Sequence, residues 1–482
     1  MCELDLPLKF AQKLYQEFSV RHPNAFYLRT RQRGMQNWDG KIHYINKHGE
    51  FKIGLLPAVY EKCTEYGIKP KVVDMRQPLP KVSKVVTKIG EYKLRPEQEK
   101  AVKAVINNKV GKVPFQIGVL DYTVNAGKTL IMSSLYLSYK KQLKTLLITN
   151  DSDWLNQARD EFKKYLPGEQ ITFVQGKVLN WSNFTIGMVQ SISRNMRFYQ
   201  NELSKVDMVL VDEADQAGSK QYQNVLTRLF NTRVRIGLSG TIYMSKLAKD
   251  KVKNMNLEVF FGKVLAEFKL KDSIKKGYST RTIVKMVPSK PWYGNWESEE
   301  VSYKEVYDDS ITFNKYARKM VYARLKWNIK QGRYPALVVC KFIAHCEKLC
   351  KYFKKKLGSK YNIACVHVDT PSKIRQQIMK DFREGKIDIL VSTTIIARGK
   401  NFPKLRYLLN AASMDSQEKS IQFLGRLVRT DSSKKKVYLD DLHYPGPYLN
   451  RHGKHRKQYY QKQELKVILL EKIWKNHPIH SL

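Results

Sequence analysis

The stretch DYTVNAGKTLIMSSLYLSY, residues 121–139, restricts the folds open to this chain more than any other. It follows the strand-like VPFQIGVLDY and runs into apolar residues at helical spacing, so a strand, a loop ending in Gly127-Lys128-Thr129 and a helix stand in succession. That order suits a phosphate-binding loop. Such a loop needs backbone N–H groups turned inward, a helix N-terminus behind them, a lysine and a hydroxyl for magnesium. One residue departs from the pattern G-x-x-x-x-G-K-[ST]: counting back from Gly127 puts Tyr122 where the first glycine belongs. A glycine at that far end of the loop is the part the physics needs least.

Further motifs follow in order. KVDMVLVDEAD places a strand at 206–211 directly before Asp212-Glu213-Ala214-Asp215. An aspartate at a strand's C-terminal end can hold Mg²⁺, and the adjacent glutamate can orient or deprotonate an attacking water. RIGLSGT is another strand, ending in Ser239-Gly240-Thr241, and upstream LRPEQEKAV carries Arg95 and Gln98. In the second half PALVVCKFIAHCEKLCKYF reads as a strand then a helix. DILVSTTIIARGKNFPKLRYLLNA contains Thr393, Thr394, Arg398 and Gly399, and QFLGRLVRT fits Q-x-x-G-R-x-x-R with Gln422, Gly425, Arg426 and Arg429. Two arginines three apart share one helical face.

In this order and spacing the motifs resemble those of superfamily 2 helicases, whose first motif, A/P-T-G/S-x-GK-T/S, tolerates the missing glycine. The resemblance implies an α/β fold with two tandem RecA-like domains, parallel sheets flanked by helices, and it implies ATP and Mg²⁺. Arg95 and Gln98 then stand where adenine is recognised by its edge. Val124, Asn125, Ala126, Gly127, Lys128 and Thr129 surround the phosphates, with Thr129 and Asp212 facing the metal and Glu213 facing the water. Gly399 and Gln422 are the second domain's share of the nucleotide site, and Arg426 and Arg429 its arginine fingers. Hydrolysis that opens and closes two such domains over a bound strand is translocation. The resemblance also places Asn150, Trp154 and Gln157 in motif Ia, Gln190 in motif Ib and Thr393 in motif V, where the nucleic-acid backbone is held. Trp154 reads equally well as a core residue.

Charge supports a polyanionic partner. Lys and Arg total 87 against 44 Asp and Glu, a net charge of +43 with a pI near 9.8. Such an excess repels itself unless a polyanion shares the surface, and the usual polyanion is nucleic acid. The basic runs at 69–103, 351–356, 434–436 and 451–466 suggest a long track rather than one tail.

Which nucleic acid is addressed by the details. DEAD invites an RNA helicase of the DEAD-box type, but those proteins have S-A-T and H-R-I-G-R-x-x-R where this chain has S-G-T and Q-F-L-G-R-L-V-R. The pattern is closer to DNA translocases such as restriction-enzyme motor subunits and repair helicases. The N-terminal RQRGMQNWDGKIHYINKHGEFKIGLLPAVYEKCTEYGIKP holds a turn at 37–40, a hairpin with its tip at His48-Gly49 and a helix leading to Gly67. With the basic aromatic PYLNRHGKHRKQYYQKQ near the C-terminus, it resembles the phage UvsW-type helicases. That family implies DNA that is branched or forked: fork regression, Holliday junction migration and R-loop dissociation. The domains expected are a small α+β DNA-binding domain and linker (1–88), then RecA-like domains at 89–262 and 263–482. A cut at about Thr87, in the Pro- and Lys-rich linker, is expected to leave the motor's core intact. Two other classes stay open: an RNA or R-loop helicase, and a DNA clamp whose ATPase is degenerate, suggested by Tyr122 and by Thr394 where many relatives have Asp.

Smaller signals set further expectations. Asp39, Glu50 and Lys52 spell D-x10-E-x-K, a metal-nuclease spacing, though a turn and hairpin explain them more simply. Six cysteines make no disulfide scaffold, and Cys340, Cys346 and Cys350 around His345 do not have zinc-ligand spacing. With no long apolar run and no apolar leader, a soluble, cytoplasmic protein without membrane association is expected, a monomer being the favoured state.

Overall fold

The computed structural model describes residues 2–31, 35–240, 248–289, 301–397 and 402–470, the last with gaps at 416–419, 421–422, 426, 429, 431–433 and 435. The chain divides into two compact units, Met1–Lys269 and Leu270–Leu482. Each is built on a seven-stranded sheet.

The first sheet comprises β1 (Ile117–Tyr122), β2 (Thr145–Thr149), β3 (Ile171–Val174), β4 (Phe184–Met188), β5 (Met208–Asp212), β6 (Val234–Ser239) and β7 (Val264–Phe268). Every pairing is parallel, in the order β7-β1-β6-β5-β2-β4-β3. Each residue of β1, β2, β5 and β6 is buried, so these strands read as continuous apolar runs, as strands covered on both faces must. Ser239 pairs with Asp121 and Asp212 with Leu238, which brings the carboxyl ends of β1, β6 and β5 together. Ligands of open parallel sheets bind at that edge.

Residues 2–66 share a core with this sheet. Leu14, Phe18, Ile45, Phe51, Leu55, Val59 and Cys63 join one apolar cluster with Leu257, Phe260 and Phe261. The contact is close: a Cβ on Gly54 would stand 2.2 Å from the Glu258 carbonyl, in the helix Ala248–Phe261. Tyr44 donates to Asn256 Oδ1 at 2.9 Å, and Lys263 pairs with Glu61. The linker is pinned as well. Ser134 Oγ donates to Val86 O at 2.6 Å, and Arg233 Nη1 donates to Gln77 O at 3.2 Å. A cut near Thr87 therefore divides a core, contrary to the expectation from linker composition.

The second sheet is again all parallel: β8 (Arg281–Pro288), β9 (Ala336–Cys340), β10 (Ile363–Val366), β11 (Ile389–Thr393), β12 (Tyr407–Asn410), β13 (Lys436–His443) and β14 (Lys466–Leu469). Their order is β10-β11-β9-β12-β13-β8-β14, so the chain carries the two RecA-like sheets expected. The basic aromatic segment near the C-terminus is a built part of this unit. In the helix Leu449–Lys462, Arg456 lies buried with its guanidinium on Asp441 of β13 at 2.8 Å, and Tyr460 donates to the same carboxylate at 2.6 Å. Exposed Arg451 and Lys454 stay on the outer face. Among the described residues no helix is long and apolar enough to cross a membrane.

Candidate active site

The loop after β1 explains the missing glycine. Tyr122 is the last residue of the strand, its ring buried and its hydroxyl donating to Glu97 O at 2.7 Å. A side chain there points into the core, so the position does not require glycine. The loop's own demands fall on Asn125 and Gly127, both at positive φ (65° and 74°), with Gly127 capping the helix Lys128–Ser138. A Cβ on Gly127 would stand 2.3 Å from Gln98 Nε2. Glycine is thus needed for conformation and for space.

Arg95 and Gln98 brace this loop. Gln98 Nε2 donates to Ala126 O at 2.8 Å while its Oε1 accepts from the Arg95 N–H at 2.8 Å, and Arg95 Nη1 donates to Asn125 O at 3.3 Å. Each end of the Gln98 amide makes one bond to protein, and these bonds leave a second Nε2 hydrogen and a second Oε1 lone pair unused. Val124, Asn125 and Thr129 are half-buried around the helix start, and Ala126 is buried.

Opposite stands the turn after β5. Lys128 Nζ lies 3.8 Å from Asp212 Oδ1, and Asp212 is 4% exposed. Burial pushes its carboxyl up to about 6, against the pull of Lys128 and with a further push from Glu213. Glu213 adopts a left-handed φ of 53°, rare for a residue with a Cβ, which turns the chain sharply into Ala214–Gln216. Asp215 is buried and pushed up to about 7 by desolvation, then by Glu213, while Ser239 Oγ donates to it at 2.7 Å. Gly240 completes the join: a Cβ there would meet Thr123 Cα at 3.0 Å, so S-G-T in place of S-A-T lets β6 end against the backbone of the loop after β1.

The chemistry of these groups fits Mg²⁺. Asp212 Oδ1 is buried with no hydrogen-bond partner, beside a lysine at a helix N-terminus. Among the described residues no cluster of three His, Cys, Asp or Glu could hold a metal. Mg²⁺ suits such a place because it takes one or two carboxylates, waters and substrate phosphates rather than a cage of protein ligands. Asp39 and Glu50 are engaged elsewhere, with His43 at 2.8 Å and Asn46 at 2.7 Å, while Lys52 lies 4.2 Å over the Phe260 ring. Turn and hairpin account for all three.

The expected nucleic-acid residues of the first unit are connected to this site. Gln190 Nε2 donates to Asn150 O at 3.2 Å, and Asn150 Nδ2 donates to Gln216 Oε1. Gln216 N in turn donates to Glu213 O at 3.0 Å. Trp154 is half-buried, its backbone N–H donating to Asp151 Oδ1 at 3.1 Å, and Gln157 bonds Glu161 along the helix Ser152–Tyr165. Gln216 was not singled out from sequence, although it lies three residues past Glu213 and its amide is what joins motif Ia to the DEAD turn. In the second unit Thr393 ends β11, buried. Thr241, Arg398, Gly399, Gln422, Arg426 and Arg429 lie outside the described residues.

Residues 91–244 match the family Type III restriction enzyme, res subunit, and residues 318–431 match the Helicase conserved C-terminal domain. In these two matches and in its motif order the chain is similar to superfamily 2 helicases. A relative, Putative helicase 22 of Sulfolobus islandicus filamentous virus, is 22% identical over 74% of this chain and 65% of its own length, so the chain spans less than two thirds of it. Among solved structures, the ATP-dependent Type ISP restriction-modification enzyme LlaBIII bound to DNA is 13% identical with a TM-score of 0.59, over 81% of this chain and 32% of that one. S. cerevisiae Dbp5 bound to RNA and ADP BeF3 is 14% identical with a TM-score of 0.53, over 78% and 90%. T4 UvsW is 20% identical over 97% and 96%, with a TM-score of 0.43 that adds no argument to the fold. At these identities the structural likeness is one of fold alone.

Proposed function

We propose that this helicase is an ATP-driven DNA translocase that remodels forked or branched DNA. The observation that carries the ATPase part is Lys128 Nζ at 3.8 Å from Asp212 Oδ1 across a loop braced by Arg95 and Gln98. Lys128 and the helix N-terminus receive the phosphates, Glu213 orients the attacking water and accepts its proton, and Thr129 and Asp212 would hold Mg²⁺. When bound, Mg²⁺ neutralises charge on the transferring phosphoryl group. Arg426 and Arg429 are proposed, from their motif, to add cationic charge there.

The DNA part rests on Ser239-Gly240-Thr241, on Q-F-L-G-R-L-V-R and on the net charge of +43. Lys128→Ala and Glu213→Gln are each expected to abolish hydrolysis while nucleic-acid binding persists. The test measures ATPase and unwinding on fork, four-way, R-loop and linear DNA and on duplex RNA. A second reading, RNA unwinding, takes its support from the DEAD string and wins if RNA stimulates hydrolysis and DNA does not. Hydrolysis unaltered in both variants removes the assignment of the ATPase site to Lys128 and Glu213.

A further inference from the structure

Two carboxylates stand where a site for polyphosphate should avoid them. Asp121 and Glu267 lie side by side in the register of β1 and β7, at the carboxyl end of the strand that feeds the phosphate loop. Asp121 is 7% exposed. Like charges on neighbouring strands repel each other, and each repels phosphates received by Lys128 and the helix N-terminus. Burial sharpens the conflict, because a carboxylate away from water is screened less.

Lys269 resolves it. It lies just past β7, its Nζ paired with Asp121 and 3.0 Å from Glu267 Oε2. Beside it, Phe268 O accepts from the Thr123 N–H at 3.0 Å, so the lysine is held against the first residue of the loop. Glu267 is exposed and water screens it, whereas buried Asp121 depends on Lys269. Burial raises the Asp121 carboxyl above its ordinary range, against the pull of Lys269 and, more weakly, of Lys128. The field of this group thus reaches the lysine that receives the phosphates. An exposed ion pair contributes little, but a buried charge that loses its partner is costly.

We propose that Lys269 is a positioning residue of the nucleotide site: by neutralising Asp121 beside the loop, it lets Lys128 and the helix N-terminus hold the phosphates of ATP at full strength. The inference rests on the proposal that this site binds and hydrolyses ATP, and it adds a cation that lies outside the motifs. Its role is a charge screen rather than a tether. A tether loosens the loop whichever partner is lost, whereas a screen fails only when the lysine is lost and the carboxylate stays.

The experiment uses the full chain, with calorimetric titration of the nonhydrolysed analogue AMP-PNP, steady-state ATP hydrolysis and thermal melting. At an effective dielectric of about 20, one unit charge roughly 10 Å from another changes affinity on the order of tenfold. Lys269→Met is therefore expected to weaken AMP-PNP binding and raise KM for ATP about tenfold, with kcat within about twofold of wild type. Asp121→Asn alone is expected to bind AMP-PNP at least as tightly as wild type. Asp121→Asn combined with Lys269→Met is expected to restore binding to within about threefold of wild type, and Lys269→Arg, which keeps the cation, to retain it. If Lys269→Met fails to fold by melting, Asp121→Asn and the double variant, which leaves no buried charge unpaired, still decide the matter. Unchanged binding in Lys269→Met, weakened binding in Asp121→Asn, or a double variant still about tenfold weaker than wild type overturns the charge screen while leaving the ATP site in place. Wild type that binds no AMP-PNP, or Lys128→Ala that binds and hydrolyses as wild type does, overturns the reading of the site and this inference with it.

Discussion

At the scale of single residues the site holds a conflict between stability and chemistry. Asp212 must be ionised to hold a cation, yet burial resists that ionisation more than Lys128 favours it. Its carboxyl titrates near about 3.9 when unfolded and at about 6 when folded. Between those values the folded chain binds a proton that the unfolded chain has released, so stability falls as pH rises through that window and stays lower above it. Asp212→Asn keeps the shape of the protonated acid and removes the penalty. Its melting temperature at pH 8 is expected to exceed wild type, with the gap closing toward pH 4, while hydrolysis is lost. A variant that melts below wild type at pH 8 would mean that the pair with Lys128 outweighs desolvation.

At the scale of elements, the links between loops matter more than any loop alone. Gln190, Asn150, Gln216 and the Glu213 carbonyl form one hydrogen-bonded chain from the expected strand-holding loops to the DEAD turn. A contact made by Asn150 or Gln190 would thus reach Glu213 through a held side chain rather than through distance. Gln216→Ala is expected to leave the basal ATPase within about twofold of wild type and to reduce stimulation by DNA several-fold; equal loss of both rates would assign Gln216 a merely structural part. The strands themselves were legible in the sequence because buried parallel strands are unbroken apolar runs, as in 206–211 and 234–239. Motif order gave the Lys128 and Asp212 pairing for the same reason: both follow such strands at one sheet edge. Gln216 was not legible because a polar residue past a motif looks the same whether it faces solvent or a neighbouring loop. Nor was the second role of Gln98, whose amide the sequence cannot orient.

At the scale of the whole molecule, the N-terminal segment shows how far composition misleads about boundaries. RQPLPKVSKVVTK has every local mark of a free linker, but shape complementarity between distant segments is not a local property. Gly54 is small because the Glu258 carbonyl lies against it, and neither residue's neighbours in sequence announce that. The same scale governs binding. If the basic surface neutralises on the order of 6 to 10 phosphates, log affinity for duplex DNA falls with log salt at a slope of about −5 to −9, and a slope near zero would show that the net charge of +43 is not what holds DNA. Deletion up to about Thr87 strips Leu14, Phe18, Phe51 and Leu55 from the cluster that covers Phe260 and Phe261. Losing several large apolar side chains from one core costs several kcal/mol, at about 2–5 kcal/mol for each buried Leu truncated. The truncated chain is therefore expected to aggregate or to melt well below the full one by calorimetry, and its lost ATPase would report a broken core rather than a lost DNA contact. A truncated protein that melts with the full chain and hydrolyses ATP at the full rate would show that residues 1–87 rest on the first sheet without supporting it.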